Sequence, residues 1–224
     1  MADNNSLFML TDNDIEELRE LVRPYLTDKR YSHTLSVAEE VKRLGEIYLP
    51  NRVKELIVAA LLHDITKKAD FEKQLHYCEI FGIMNNAHQK ISPEVLHSKT
   101  AAALAAQDFS KYVNDDILDA VRYHTTARAG MTVFEALVYL ADYIEPTRTH
   151  EVCISTRKKF YDRLSGGEDK LVVLYDTMSA TLYGTIDYLN KKNAFIDEDT
   201  INAGQYFSCL KSEASELKCE ESNE

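Results

Sequence analysis

The chain has 224 residues, 45% hydrophobic and 28% charged, a mix that suits one globular domain able to bury its own core without disulfides or a structural metal. A formal net charge of −11 argues against nonspecific nucleic-acid binding, which needs clustered Lys and Arg. It leaves room for a phosphorylated small molecule, because a bound cation can dominate the local field.

Seven glycines and four prolines are few for this length, and long stretches without breakers favour helix over a loop-rich β fold. In "LTDNDIEELRELVRPYL", Thr11 is placed to cap and acidic residues fill the first turn. Ile15, Leu18, Leu21 and Val22 then repeat at helical spacing. A second helix is predicted from about Ser32 to Tyr48, striped by Val37, Val41, Leu44 and Tyr48. A third covers "RVKELIVAALLHD", with Val53, Leu56, Ile57, Ala60 and Leu61 on one side. The pattern weakens after Asp70, where "FEKQLHYCEIFGIMNNAHQKISPE" reads as a short helix and a loop ended by Pro93. Helices follow in "EVLHSKTAAALAAQ" and "DDILDAVRYH", then a turn at "TTARAG". "MTVFEALVYLADYIEP" is a strongly apolar helix stopped by Pro146, and "ISTRKKFYDRL" and "EDKLVVLYDTMSATLYGTIDYLNKK" are helical too. No segment alternates like a strand, and no internal repeat is present. The expected fold is an all-α bundle: residues 1–10 an N-terminal extension, 11–205 the body, and 206–224 a polar, acidic tail that extends a helix or frays, its last part mobile.

Cys78, Cys153, Cys209 and Cys219 form no CxxC pair and read as free thiols of a reducing compartment. The opening "MADNNSLFML" lacks the basic region and apolar core of a secretory signal. No apolar run approaches the ~20 residues that span a bilayer. The cytosol is the expected location, with no membrane partner. An outward apolar helix face would support a homodimer, and the patterning does not separate outer faces from inner ones.

Six polar residues fall on apolar faces. His33 precedes Val37 and Val41 at helical offsets, and Asp64 follows Ile57, Ala60 and Leu61, with His63 beside it. His124 follows Ile117, Ala120 and Val121. Asp142 follows Phe134 and Val138, and His97 precedes Ala101 and Leu104. Singly, each has a bland reading: a lone inward histidine is usually a hydrogen-bonded core residue, and a lone inward aspartate a cap or ion-pair partner. Together they point elsewhere, because two buried unpaired carboxylates would each cost several kcal/mol. Four imidazoles and two carboxylates satisfy one another around cations such as iron, manganese, cobalt or zinc. Six ligands exceed the needs of one open catalytic ion and fit two ions sharing a bridging carboxylate. His76, His88 and His150 lie off this pattern and read as surface or packing residues.

His33, the His63–Asp64 pair and the distant Asp142 resemble the HD-domain metal-dependent phosphohydrolases. The order of "RYSHTLSVAEE", "AALLHDITK", "LHSKTAA", "AVRYHTTARAGM" and "LADYIEPTR" is similar to the bacterial YqeK-type branch, the symmetrical bis(5'-nucleosyl)-tetraphosphatases, from roughly Arg30 to Asn202. One departure is visible: Ala127 stands where that branch usually has glycine before the arginine. The resemblance implies an all-helical HD-domain bundle, a two-iron centre, and symmetrical cleavage of diadenosine tetraphosphate to two ADP by a metal-activated water. By position, His33, His63, Asp64 and Asp142 would hold one ion, and Asp64 would bridge to a second completed by His97 and His124. Cobalt or manganese would suit the same ligands.

Four phosphates need cationic clamps beyond the metals. Lys67 lies one turn past His63, and Arg128 sits just after His124 with Thr125 and Thr126 as hydroxyl donors. Arg30 precedes His33, and Arg148 follows Asp142. A single Lys or Arg is usually a solvated surface charge. Lys67 and Arg128 are singled out as catalytic with Asp64, because each is tied to a ligand-bearing segment, while Lys68 is read as surface. Tyr123 and Tyr143 adjoin ligand helices, and neither is assigned to the base. Two other readings stand beside this one: another HD-type phosphohydrolase of a nucleoside phosphate or guanosine alarmone, and a nucleotide-sensing protein without catalysis. The absence of a GYP triplet weighs against the cyclic-dinucleotide branch.

Overall fold

The computed structural model describes residues 8–83 and 92–221; His88 and the loop expected around it fall outside them. Local capping sets most helix starts. Thr11 and Asp14 form a capping box that opens α1 (Asp12–Val22). Thr27 accepts the Arg30 N–H and starts α2 (Asp28–Tyr48), one turn earlier than the apolar stripe indicates. Next come α3 (Val53–Leu62) and α4 (Phe71–Ile80), the latter capped by Asp70. Pro93 sits at the first position of α5 (Pro93–Asp108), where its missing N–H costs nothing. Asn114 caps α6 (Asp115–Tyr123), and Thr132 with Glu135 makes a second capping box at α7 (Val133–Ile144). The chain closes with α8 (Glu151–Ser165), α9 (Lys170–Lys191) and α10 (Glu198–Glu221).

Seven consecutive residues of α3, Leu56 to Leu62, are buried. A helix apolar on every side belongs at the centre of a bundle, and α1, α2, α5, α6 and α7 all pack on it. Gly45 permits close approach of α2: a Cβ there would meet Leu56 Cδ1 at 2.7 Å. Leu21, counted in the stripe of α1, is exposed, while Ile15, Leu18 and Val22 carry that face inward. The second half of the chain adds α8 against α7, then α9 against α8, with α10 lying along α9. α10 crosses residue 205 without a break. Phe207, expected in the tail, is fully buried and packs near Tyr175, because Thr200, Ala203 and Phe207 share one helix face.

The described residues contain no strand, and no described helix is long and apolar enough to cross a membrane. Cys78, Cys153 and Cys209 are free thiols. His76 and His150 are exposed, away from the buried polar cluster. That cluster gathers where the N-terminal turns of α2 and α5 meet the C-terminal ends of α3, α6 and α7.

Candidate metal centre

Helix ends place the ligands. His63 is the C-cap of α3 and His124 the C-cap of α6. A helix C-terminus leaves carbonyls without intrahelical partners. His63 Nδ1 lies 2.6 Å from the Ala60 carbonyl and His124 Nδ1 2.7 Å from the Val121 carbonyl. A carbonyl only accepts, so each Nδ1 carries the proton and each Nε2 is left bare. The same contact that finishes the helix thereby fixes the tautomer and aims the other nitrogen at the centre.

Asp64 follows His63 and is 3% exposed. Its two oxygens divide the histidines between them. Oδ2 lies 3.2 Å from His63 Nε2 and 3.9 Å from His33 Nε2. Oδ1 lies 3.2 Å from His97 Nε2 and 3.7 Å from His124 Nε2. Asp142, on the last turn of α7, brings Oδ1 to 2.9 Å from His33 Nε2 and 4.0 Å from His63 Nε2. All six residues singled out from the sequence therefore reach one another. Three triads, His33–His63–Asp64, His63–His124–Asp142 and Asp64–His97–His124, each offer ligand atoms within 4.8 Å.

The charges in this cluster are those of a cation site. Burial opposes ionisation of Asp64, yet His63, His124 and His97 hold its carboxyl well below the usual range. Asp142 is held down in the same way by His33 and Arg148, against its burial. Burial would also depress His33, but the carboxylates of Asp142 and Glu145 lift it to about 9. A proton on this ring then adds positive charge beside the carboxylates of Asp64 and Asp142. Burial brings His97 down to about 4 and lowers His124. His33 Nε2 and His63 Nε2 are buried without a hydrogen-bond partner; the 2.9 Å approach of His33 to Asp142 is misaligned for one. Orphaned buried nitrogens are costly, and nitrogen with carboxylate oxygen is the donor set that first-row divalent cations take. The residues fit such ions.

A cavity of about 270 Å³ opens on the cluster. Arg30, Lys67 and Arg148 bring three cations to it, with Thr125 beside them. Arg30 Nη1 bonds Asp64 Oδ2 at 2.8 Å, and Lys67 Nζ lies 3.2 Å from both ring nitrogens of His97. Arg148 donates to the side chain of Asp142 and, at 2.8 Å, to its carbonyl. The Thr125 hydroxyl is 3.4 Å from His97 Nε2. The far wall, Tyr139, Tyr143, Cys153 and Thr185, comes from α7, α8 and α9. A larger cavity of about 500 Å³ lies beside α1 and α3, with lining of mixed charge that includes none of the clustered histidines.

Two of the residues expected to meet the substrate, Arg128 and Thr126, do not line this cavity. The Arg128 guanidinium bonds Glu135 at 2.7 and 2.9 Å and Asp119 at 3.1 Å, and stacks over Tyr123. Thr126 is buried, its hydroxyl donating to the Ala127 carbonyl at 2.9 Å. The cause is the backbone of Ala127, at φ 57°. This left-handed turn reverses the chain after α6 and swings Arg128 to the N-terminus of α7, where Glu135 waits as the capping-box acid. Glu145 was not anticipated at all: fully buried, it accepts from His33 Nδ1 at 3.0 Å. Its only signal in the sequence is its place three residues after Asp142, on the same helical side.

A model of the HD domain matches residues 30–147. The chain is 32% identical over 196 residues to the symmetrical bis(5'-nucleosyl)-tetraphosphatase of Staphylococcus aureus strain NCTC 8325, covering 87% of this chain and 95% of that one. With the enzyme of the same description from Bacillus subtilis strain 168 it shares 32% over 187 residues, 83% and 92% of the two chains. A crystal structure of an HD superfamily hydrolase from Clostridium acetobutylicum, described as involved in NAD metabolism, superposes with a TM-score of 0.69 at 28% identity, covering 88% of this chain and 97% of that one.

The turn at Ala127 yields a stability prediction. A left-handed alanine costs about 1–2 kcal/mol. Glycine would relieve that, but would lose about 0.5–1 kcal/mol in unfolded-chain entropy and roughly 0.8 kcal/mol for a methyl that is fully buried here. Ala127→Gly should therefore change stability by less than about 1 kcal/mol in urea denaturation. Ala127→Val, β-branched at positive φ and overpacked, should lose about 2 kcal/mol or more.

Proposed function

The chain belongs to the HD-domain family, in the branch of the symmetrical bis(5'-nucleosyl)-tetraphosphatases, and from that premise we propose that it hydrolyses diadenosine tetraphosphate at the middle of its phosphate chain, releasing two ADP. It is a metal-dependent hydrolase. The observation that carries the reading is Asp64, whose two carboxylate oxygens each face their own pair of imidazoles. On this reading His33, His63, Asp64 and Asp142 hold one divalent ion, and Asp64, His97 and His124 the other. Iron suits them, and so do manganese and cobalt. Two such ions supply Lewis-acid chemistry, lowering the pKa of water and neutralising phosphate charge.

The protein's own residues do the rest. Arg30, Lys67 and Arg148 ring the cavity and take phosphate oxygens, with the Thr125 hydroxyl as a further donor. ADP is a good leaving group, so no strong general acid is required. The cavity, about 270 Å³, falls below the roughly 300–1,000 Å³ usual for a drug-sized ligand. A dinucleoside tetraphosphate would extend beyond it. Arg128, expected to act on the substrate, bonds Glu135 and Asp119 in this structure, beside the turn that carries His124 and Thr125.

Chromatography of the products decides the reaction. Metal-loaded protein with diadenosine tetraphosphate should yield ADP alone; AMP with ATP would mean asymmetric cleavage, and no turnover would end the proposal. NAD belongs in the same panel and should survive intact. Lys67→Met should keep full metal content by elemental analysis and lower kcat/KM by about 10²–10³, the usual loss of one fixed transition-state donor. Unchanged kinetics would remove Lys67 from the site.

A further inference from the structure

We propose that Glu145 is the positioning residue that fixes the orientation and tautomer of His33, and so sets how tightly one of the two ions is held. The inference rests on His33 being a ligand and goes beyond it to a residue that touches no ion itself.

His33 has a problem that His63 and His124 do not. Those two cap their own helices and find a free carbonyl three residues back. His33 lies inside α2, where carbonyls are taken by the helix ladder. Its Nδ1 needs an acceptor from elsewhere, and Glu145 supplies one at 3.0 Å across 112 positions of chain. A carboxylate that is ionised only accepts, so Nδ1 must carry a proton, and Nε2 is the nitrogen left to face Asp142 and Asp64.

Glu145 is itself held from every side by donors. The Thr147 N–H reaches Oε2 at 2.6 Å and the Thr147 hydroxyl reaches Oε1 at 2.7 Å. Arg148 Nε stands 3.8 Å from Oε1, and Arg157 donates to the Glu145 carbonyl at 2.6 Å. Pro146 follows directly and stops α7, which folds Thr147 back over the carboxylate. A fully buried acid with this many donors is held in one orientation, with Oε1 against the His33 imidazole.

The test uses zinc, which is diamagnetic, as the probe. A glutamine at this position cannot satisfy three donors, since its NH₂ must face either His33 or Thr147. Glu145→Gln should weaken one zinc ion by about 10–100-fold in chelator competition and leave the other unchanged. It should also shift the hydrogen-bonded Nδ1–H signal of His33 in NMR spectra of the zinc-loaded protein, since a neutral amide oxygen is the weaker acceptor. A role in folding alone would lower Tm equally with and without zinc; the positioning role shrinks the zinc-induced rise in Tm. Should Glu145→Gln fail to fold, Thr147→Val removes one donor from the carboxylate and should weaken the same ion by a smaller factor. Wild-type zinc affinity in Glu145→Gln, or in Thr147→Val where that variant decides, overturns the proposal while His33→Ala still loses an ion. Wild-type affinity in His33→Ala as well would overturn the ligand reading beneath it.

Discussion

Everything at the working end of this bundle answers to one buried carboxylate. Asp64 is 3% exposed and sits among His33, His63, His97 and His124. An isolated charge in such a place would cost several kcal/mol. The chain meets that cost with cations and imidazoles gathered from α2, α3, α5 and α6 and the turns beside them, and no helix carries enough to do so alone. Arg30 takes one oxygen of Asp64 at 2.8 Å, and Lys67 lies against His97. Divalent ions held there would complete the same compensation and supply its chemistry, since cations that neutralise buried carboxylates also neutralise phosphate.

The bundle is suited to this because helix ends have valences left over. His63 and His124 close α3 and α6, each spending one nitrogen on an orphan carbonyl and presenting the other to the centre. α3 is central because it is apolar on every side, so its C-terminus, and with it Asp64, lands where α2, α5, α6 and α7 converge. Gly45 lets α2 close on α3, and the stop at Pro146 ends α7 with Glu145 behind His33. Core packing and site geometry are one set of contacts.

Much of this was legible in the sequence, for physical reasons that also mark where legibility stops. Apolar stripes such as Val37–Val41 and Ile57–Ala60–Leu61 give the face of a helix, and a polar residue on that face is pinned to the interior. His33, Asp64, His97, His124 and Asp142 were readable that way. Arg128 was not, because its position depends on the left-handed backbone of Ala127 and on capture by Glu135, neither of which leaves a periodic trace. Thr126 turned inward with it. Glu145 was obscured by Pro146, which marks the end of a helix and says nothing of what the last side chain touches. The cavity wall from α8 and α9, with Cys153 and Thr185, depends on long-range packing that no local pattern encodes. Phe207 was lost in an acidic tail although it shares a face with Thr200 and Ala203.

The claim beneath all of this is that Asp64 stands between two cations. Anomalous X-ray diffraction from manganese-soaked crystals tests it most directly. The account predicts two peaks about 3.5–4 Å apart, one on the Oδ2 side of Asp64 with His33, His63 and Asp142, and the other on the Oδ1 side with His97 and His124. A single peak at the cluster, or manganese bound only away from Asp64, would contradict it.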